Sequence, residues 1–240
     1  MKKILLLFLF LALRPLTSPA QVKYGAEATL NVSNYTIKTP GLLVPTTFWV
    51  PGFSIGGLAD YSINDNISLQ PGLFFAINGI KYSYTIPFLG SADFSAHINT
   101  IQIPVNVQYK FGDAAGNRFF VGAGPFFAVN LSGSAKANVS GNGLIPFGIP
   151  TIDSSASLKV GSDSSDYIKR FDFGVGVNGG YELKNGLFFR LHGQLGLLNL
   201  QPKGNASNSI KSMNYNVSVG YWLGKKSAKK DKYKTKGRKR

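Results

Sequence analysis

The chain has 240 residues, with 28 Gly, 18 Phe and 11 Tyr, no Cys and a formal charge of +15. Charged residues make up 15%, against about 25% in a typical soluble domain, and no apolar run beyond the N-terminus nears the roughly 18 residues of a membrane helix. These values exclude a disulfide framework, a thiolate metal site, a cysteine-linked lipid anchor and a helical membrane bundle, and they favour an all-β protein.

The charge sits at the ends. Residues 1–21 carry Lys2, Lys3 and Arg14 without an acid, and residues 225–240 carry ten Lys/Arg against Asp231. That leaves 13 basic and 10 acidic residues in 22–224, a body charge of +3. Lys2 and Lys3 precede the ten-residue apolar run Ile4 to Leu13, and Ser18 and Ala20 then stand at the −3 and −1 positions of a cut before Gln21. This is the layout of a cleaved signal peptide. Residues 1–20 are therefore predicted to direct export, which sets nucleic acid aside as a partner despite the pI of about 9.9.

From residue 22 the hydrophobicity alternates with period 2, the mark of a half-buried strand. Tyr24, Ala26, Ala28, Leu30 and Val32 form a first apolar series, Phe53 to Ile63 a second and Ile67 to Ile77 a third. Ile101, Ile103, Val105, Val107, Tyr109 and Phe111 interleave with Gln102, Asn106, Gln108 and Lys110 in the fourth. The fifth runs from Phe119 to Leu131, the sixth from Phe171 to Leu183, the seventh from Leu187 to Leu197 and the eighth from Met213 to Leu223. Several exceed the 9–11 residues that a tilted strand needs to cross hydrocarbon.

Short and long connections alternate strictly. Asn64 to Asn66, Gly112 to Asn117 and Lys184 to Gly186 are tight, whereas 35–50, 83–97, 132–169 and 201–209 read as long loops. The expected fold is an eight-stranded antiparallel transmembrane up-and-down β-barrel over residues 21–224, with short periplasmic turns, long extracellular loops and both termini in the periplasm. Within the longest loop, 134–140 and 155–161 are expected to form a projecting hairpin. A soluble sandwich or lipocalin-like barrel also alternates. However, the polar set here is rich in Gly, Asn, Gln and Ser, and aromatics such as Tyr24, Tyr61, Tyr109, Phe119 and Tyr221 gather near strand ends, as in interfacial girdles. The predicted location is the outer membrane of a Gram-negative cell.

The signal peptide, the Gln21 start, the strand-and-turn rhythm and the final strand Tyr215-Asn-Val-Ser-Val-Gly-Tyr-Trp-Leu-Gly224 resemble the PorT-type outer-membrane β-barrel family of Bacteroidota-like bacteria over about residues 20–224. The resemblance implies either a surface protein of unassigned role or a component associated with protein secretion and gliding. The last strand also resembles the C-terminal signal read by barrel-assembly machinery, although sixteen residues follow it here.

If the apolar set faces lipid, the alternate set fills the lumen: Glu27, Asp60, Lys110, Asp172, Glu182, Arg190 and His192, with amides between them. An eight-stranded barrel is just wide enough for side chains to fill it, and buried charges must be paired. A network with Arg190 and Lys110 among the carboxylates is expected, and a conducting lumen is the alternative. Gly174 to Gly179 matches G-x-G-x-x-G but lies in a strand rather than opening a helix. His97 and His192 lack the pattern of a hydrolase, and Asp153, Asp163 and Asp166 lack the ligand density of a calcium loop. No catalytic residue, metal or cofactor is assigned.

The tail, 225–240, has no apolar periodicity, as in charged interaction tails. Lys225, Lys226, Lys229, Lys230 and Lys232 are positioned to meet anionic lipid, cell wall or a protein in the periplasm. The reading is a monomeric, non-enzymatic barrel, embedded in outer-membrane lipid and acting in surface interaction or secretion. A small pore or hydrophobic-ligand transporter is the alternative, followed by a lipid-modifying enzyme that depends on His192.

Overall fold

The computed structural model describes residues 22–39, 45–86, 90–113, 116–141, 152–163 and 165–223. The expected signal peptide and the basic tail, with Lys225, Lys226, Lys229, Lys230 and Lys232, lie outside these residues. The described strands are β1 (Val22–Lys38), β2 (Thr46–Phe48), β3 (Val50–Ser62), β4 (Ile67–Ile86) and β5 (Gly90–Phe111), then β6 (Arg118–Gly141), β7 (Ile152–Ser157), β8 (Phe171–Glu182), β9 (Leu187–Gly196) and β10 (Ser209–Leu223).

Eight of them close a ring in the order β1-β3-β4-β5-β6-β8-β9-β10. Every neighbouring pair is antiparallel, and β1 pairs with β10 from Tyr24↔Leu223 to Lys38↔Ser209 to shut the seam. Closure leaves no edge strand, which is what a β-structure in lipid requires. The short pieces β2 and β7 lie outside the ring and pair with the far ends of β4 and β6.

Side chains alternate across the wall as the pleat dictates. Along β1, Tyr24, Ala26, Ala28, Leu30 and Val32 point outward and are exposed, while Glu27, Thr29, Asn31 and Ser33 are buried. Leu30 is 73% exposed and Glu27 is 5% exposed. A water-soluble barrel has the reverse arrangement. At one end the turns are tight: the Asn64 carboxamide oxygen accepts from the Asn66 and Ile67 N–H groups at 2.9 and 2.7 Å. Gly112 and Gly186 take φ values of 109° and 98°, which a side chain would strain.

At the other end the chemistry of the wall inverts. Above Val32, Ile77, Ile101 and Met213 the outward positions become Thr36 and Lys38, Lys81, His97 and Ser95, and Lys211. The inward positions become Tyr35, Ile80, Ala96, Ile98 and Ala135, packed with Leu158, Ile168 and Leu200 in an apolar core. Within the segments expected to be loops, 83–86, 90–97, 132–141 and 152–157 are strand. β4 and β5 stay paired up to Ile86↔Gly90, and β6 continues to pair with β7 over 134–139 and 152–157. The expected hairpin is present with its second arm earlier than 155–161. In β5 the apolar positions pass from odd numbers below to even numbers above, so continuing strand resembled an interruption. In β6 a register shift opposite Asn99/Thr100 skips Leu131 and changes which residues point outward.

Candidate functional site

Near the tight-turn end a polar network crosses the lumen. The Lys110 ammonium pairs with Asp60, and the Arg190 guanidinium pairs with Glu27 at 3.1 Å. Gln70 joins the two pairs: its amide donates to Asp60 at 3.3 Å, and its carbonyl oxygen accepts from Arg190. The Gln108 amide donates to the same Gln70 oxygen at 3.3 Å and to Asn178 at 2.9 Å, and the Ser218 hydroxyl donates to Glu27 at 2.6 Å. β1, β3, β4, β5, β8, β9 and β10 each contribute a member. The order follows from desolvation, because a charge withdrawn from water costs several kcal/mol unless it is paired and hydrogen-bonded.

Of the other expected members, two lie at other levels and His192 lies beside the network. Glu182 is 1% exposed and faces Arg118 across the β6–β8 ladder, and Arg118 donates to the Asp65 carbonyl. Asp172 lies toward the opposite end, where the Ser212 hydroxyl and the Phe173 N–H donate to it at 2.6 and 2.8 Å. His192 sits between Asn178 and Asn216 in register, with its Nε2 buried and no hydrogen-bond partner among the described residues. The expectation of one network is therefore corrected to two linked ion pairs, with Asp172 and Glu182 at other levels and His192 beside the network, level with Asn178. Strand register sets those levels, and it cannot be read from one strand's periodicity.

The sequence reading also missed that the lumen carries aromatics. Leu58, Phe74, Phe120, Phe188 and Trp222 form a second apolar cluster. The Arg190 guanidinium lies 5.4 Å from the Phe120 ring centre and 5.3 Å from that of Phe188. A glycine is the cross-strand partner of every inward aromatic in this part of the wall: Gly25 of Trp222, Gly220 of Phe188, Gly56 of Phe74, Gly180 of Phe120 and Gly174 of Phe126. A Cβ on Gly220 would lie 2.1 Å from Phe188 Cζ, so the ring occupies the space of the missing side chain. The G-x-G-x-x-G run lies within β8, where Gly174 makes room for Phe126. Glycine recurring at inward positions one strand away was the available signal.

What space remains is small. Two lumen cavities measure ≈ 30 Å³, beside Asn31, His192 and Asn216, and ≈ 10 Å³, beside Tyr35, Asn130 and Asp172. The larger has room for about one or two waters.

A family model described as outer membrane protein beta-barrel domain matches residues 17–201. The chain belongs to the outer membrane protein beta-barrel domain family. In this family's setting the tight turns are periplasmic and the extended strand ends extracellular. Among solved structures the chain is similar to the Neisserial surface protein A, at 15% identity over 84% of this chain and 98% of that one, with a TM-score of 0.39. It is also similar to OprG from Pseudomonas aeruginosa, at 13% identity over 85% and 96%, TM-score 0.46, and to the attachment invasion locus protein Ail of Yersinia pestis, at 12% over 85% and 99%, TM-score 0.36. No curated protein sequence matches it.

In this outer-membrane barrel, the extracellular core encloses a cavity of ≈ 170 Å³ between Ile80, Tyr82, Phe94, Ile98, Leu158 and Ile210, with Asp166 and Gln201 at its polar side. Tyr82 stacks on Phe94 with ring centres 4.8 Å apart, and burial pushes its phenol up to about 12. Asp163 and Asp166 close a turn, the Asp166 carboxylate accepting from the Asp163 N–H at 2.8 Å; the side chain of Asp153 is outside the described residues. His97 is exposed on the outer wall opposite Ser134, far along the wall from the lumen position of His192.

Proposed function

We propose that the protein is a non-conducting, non-enzymatic outer-membrane barrel whose extracellular cap makes contacts at the cell surface. The observation that carries this reading is the network Lys110–Asp60–Gln70–Arg190–Glu27 across the lumen, set between the aromatic cluster and the apolar cap. A route for a hydrated solute would have to break both ion pairs. The cap, by contrast, holds strands, an apolar core and a cavity beyond the lipid belt.

The finer assignment to the PorT-type family, with its association with secretion, draws its support from the pattern over residues 20–224 and the last strand. In this reading residues 1–20 direct export and are removed. The tail then stays in the periplasm, where Lys225, Lys226, Lys229, Lys230 and Lys232 meet anionic lipid, cell wall or a protein, as a mainly basic segment favours. The ≈ 170 Å³ cap cavity favours a second reading: capture of a small apolar ligand at the surface without transport.

Two measurements test the first reading. Refolded protein in a planar bilayer is expected to be silent, and steady unitary currents would refute the closed lumen. A photoreactive residue in place of exposed Tyr167 on intact cells is expected to crosslink a surface component. Crosslinks from a tail lysine alone would move the interaction to the periplasm.

A further inference from the structure

The lipid-facing wall is not uniform. On four neighbouring strands, one outward row reads Leu30, Val217, Leu191, Gly179 and the next reads Val32, Tyr215, Gly193, Val177, each residue the register partner of the next. Gly179 and Gly193 remove two side chains from an otherwise apolar surface and leave an open groove of ≈ 770 Å³. Trp49 lies against Tyr215, with ring centres 5.2 Å apart, and borders the groove on the β1 side.

The two strands at this side of the groove end in cations. Four residues beyond Tyr215 on β10 stands Lys211, about 13 Å along the strand, and six beyond Val32 on β1 stands Lys38, about 20 Å along. Both are exposed, and Thr36, the register partner of Lys211, lies between them on the same outer face. Neither lysine has an ion-pair partner among the described residues. Lys211 stands one row and Lys38 two rows above Met213, the last apolar outward residue of β10, on the side where an outer-leaflet lipid would hold its headgroup. Apolar surface below and positive charge directly above match one amphiphile: an acyl chain carrying a phosphate.

We propose that this groove is a binding site for a phosphate-bearing acyl lipid of the outer leaflet, its chain along Leu30, Val217 and Gly193 and its phosphate on Lys211 and Lys38. The site rests on the outer-membrane placement above, and it is independent of whether the lumen conducts.

The test uses the full mature chain folded in neutral detergent and titrated with diphosphorylated lipid A, or with the same lipid stripped of phosphate, and read by native mass spectrometry. Each lysine near an anionic headgroup contributes roughly five-fold in affinity. The double variant Lys38→Gln/Lys211→Gln is therefore expected to bind the phosphorylated lipid about thirty-fold more weakly, and no better than the wild type binds the stripped lipid. Gly193→Leu, whose added Cβ would stand 3.5 Å from the Tyr215 ring, in ordinary contact, and whose side chain would fill the groove, is expected to weaken both lipids by about ten-fold or more. Gly193→Ala serves as the milder variant should Leu impair folding.

Binding of both variants within two-fold of wild type would overturn the proposal. So would a mass of two chains abolished by Gly193→Leu, which would make the occupant a second copy. Loss of the mobility difference between boiled and unboiled samples in the wild type would instead count against the barrel itself.

Discussion

Arg190 of β9 and Glu27 of β1 meet over the strand that separates them, Nη1 to Oε2 at 3.1 Å, while Ser218 of that intervening strand donates to the other Glu27 oxygen at 2.6 Å. The pair thus spans the seam where the first and last strands of the barrel close. Both charges are buried, so each depends on the other.

Removing one partner leaves a buried charge uncompensated. Arg190→Leu is expected to destabilise the barrel by about 3–5 kcal/mol, measured as the urea midpoint of the boiled-versus-unboiled gel shift. Glu27→Leu/Arg190→Leu should recover more than half of that loss, and a double variant as unstable as the single would contradict the coupling.

The aromatic–glycine pairs predict a steric result. Gly220→Ala puts a Cβ 2.1 Å from Phe188 Cζ and is expected to cost about 1–3 kcal/mol. Combining it with Phe188→Leu should return stability toward that of Phe188→Leu alone, as read in the same denaturation series.

The limit of the lipid belt can be mapped with arginine. Val217→Arg, outward and 61% exposed at mid-wall, is expected to cost about 2–4 kcal/mol when folded into bilayers, whereas Thr36→Arg, above the belt, should cost about 0–1 kcal/mol. Equal costs would show that the polar upper wall is still in hydrocarbon.

The cap should loosen separately from the membrane wall. Ile98 is 0% exposed in the extracellular core, and Ile98→Ala is expected to cost that core about 2–5 kcal/mol through the cavity it leaves. Limited proteolysis should then cut within 80–98 or 132–141 while the gel shift of the barrel persists.

Tyr82 provides a pH test. Burial raises its phenol to about 12, above the roughly 10 of an unfolded tyrosine. Between these values the folded cap holds a proton that the unfolded chain releases, so its stabilising effect is complete below about pH 10 and is lost as pH rises to about 12. Phenolate absorbance should show a late-titrating group that Tyr82→Phe removes, together with protease sensitivity of the cap rising over the same interval.

Much of this was legible in residue order. Period-2 series from Tyr24 to Leu223, tight turns at Asn64, Gly112 and Asn185, and polar residues between the apolar ones are local properties of a strand wall in lipid. They suffice for eight crossings, for which face meets hydrocarbon, and for the placement of Glu27, Asp60, Lys110 and Arg190 inside. They failed at 83–97, where the strands continue and the chemistry of their two faces is exchanged, and in 132–169 they gave the hairpin but set its second arm too late.

Tertiary structure decided which buried groups meet. Gln70 lies 120 residues from Arg190 and Glu27 lies 191 residues from Ser218, and only the stagger between closed strands brings each pair to one height. The same stagger holds Asp172 away from the network, sets His192 beside Asn178 at its margin and seats Phe188 over Gly220. Alternation along one strand tells a side chain which way to point; its depth in the lumen depends on the register of its neighbours, which exists only once the ring is closed.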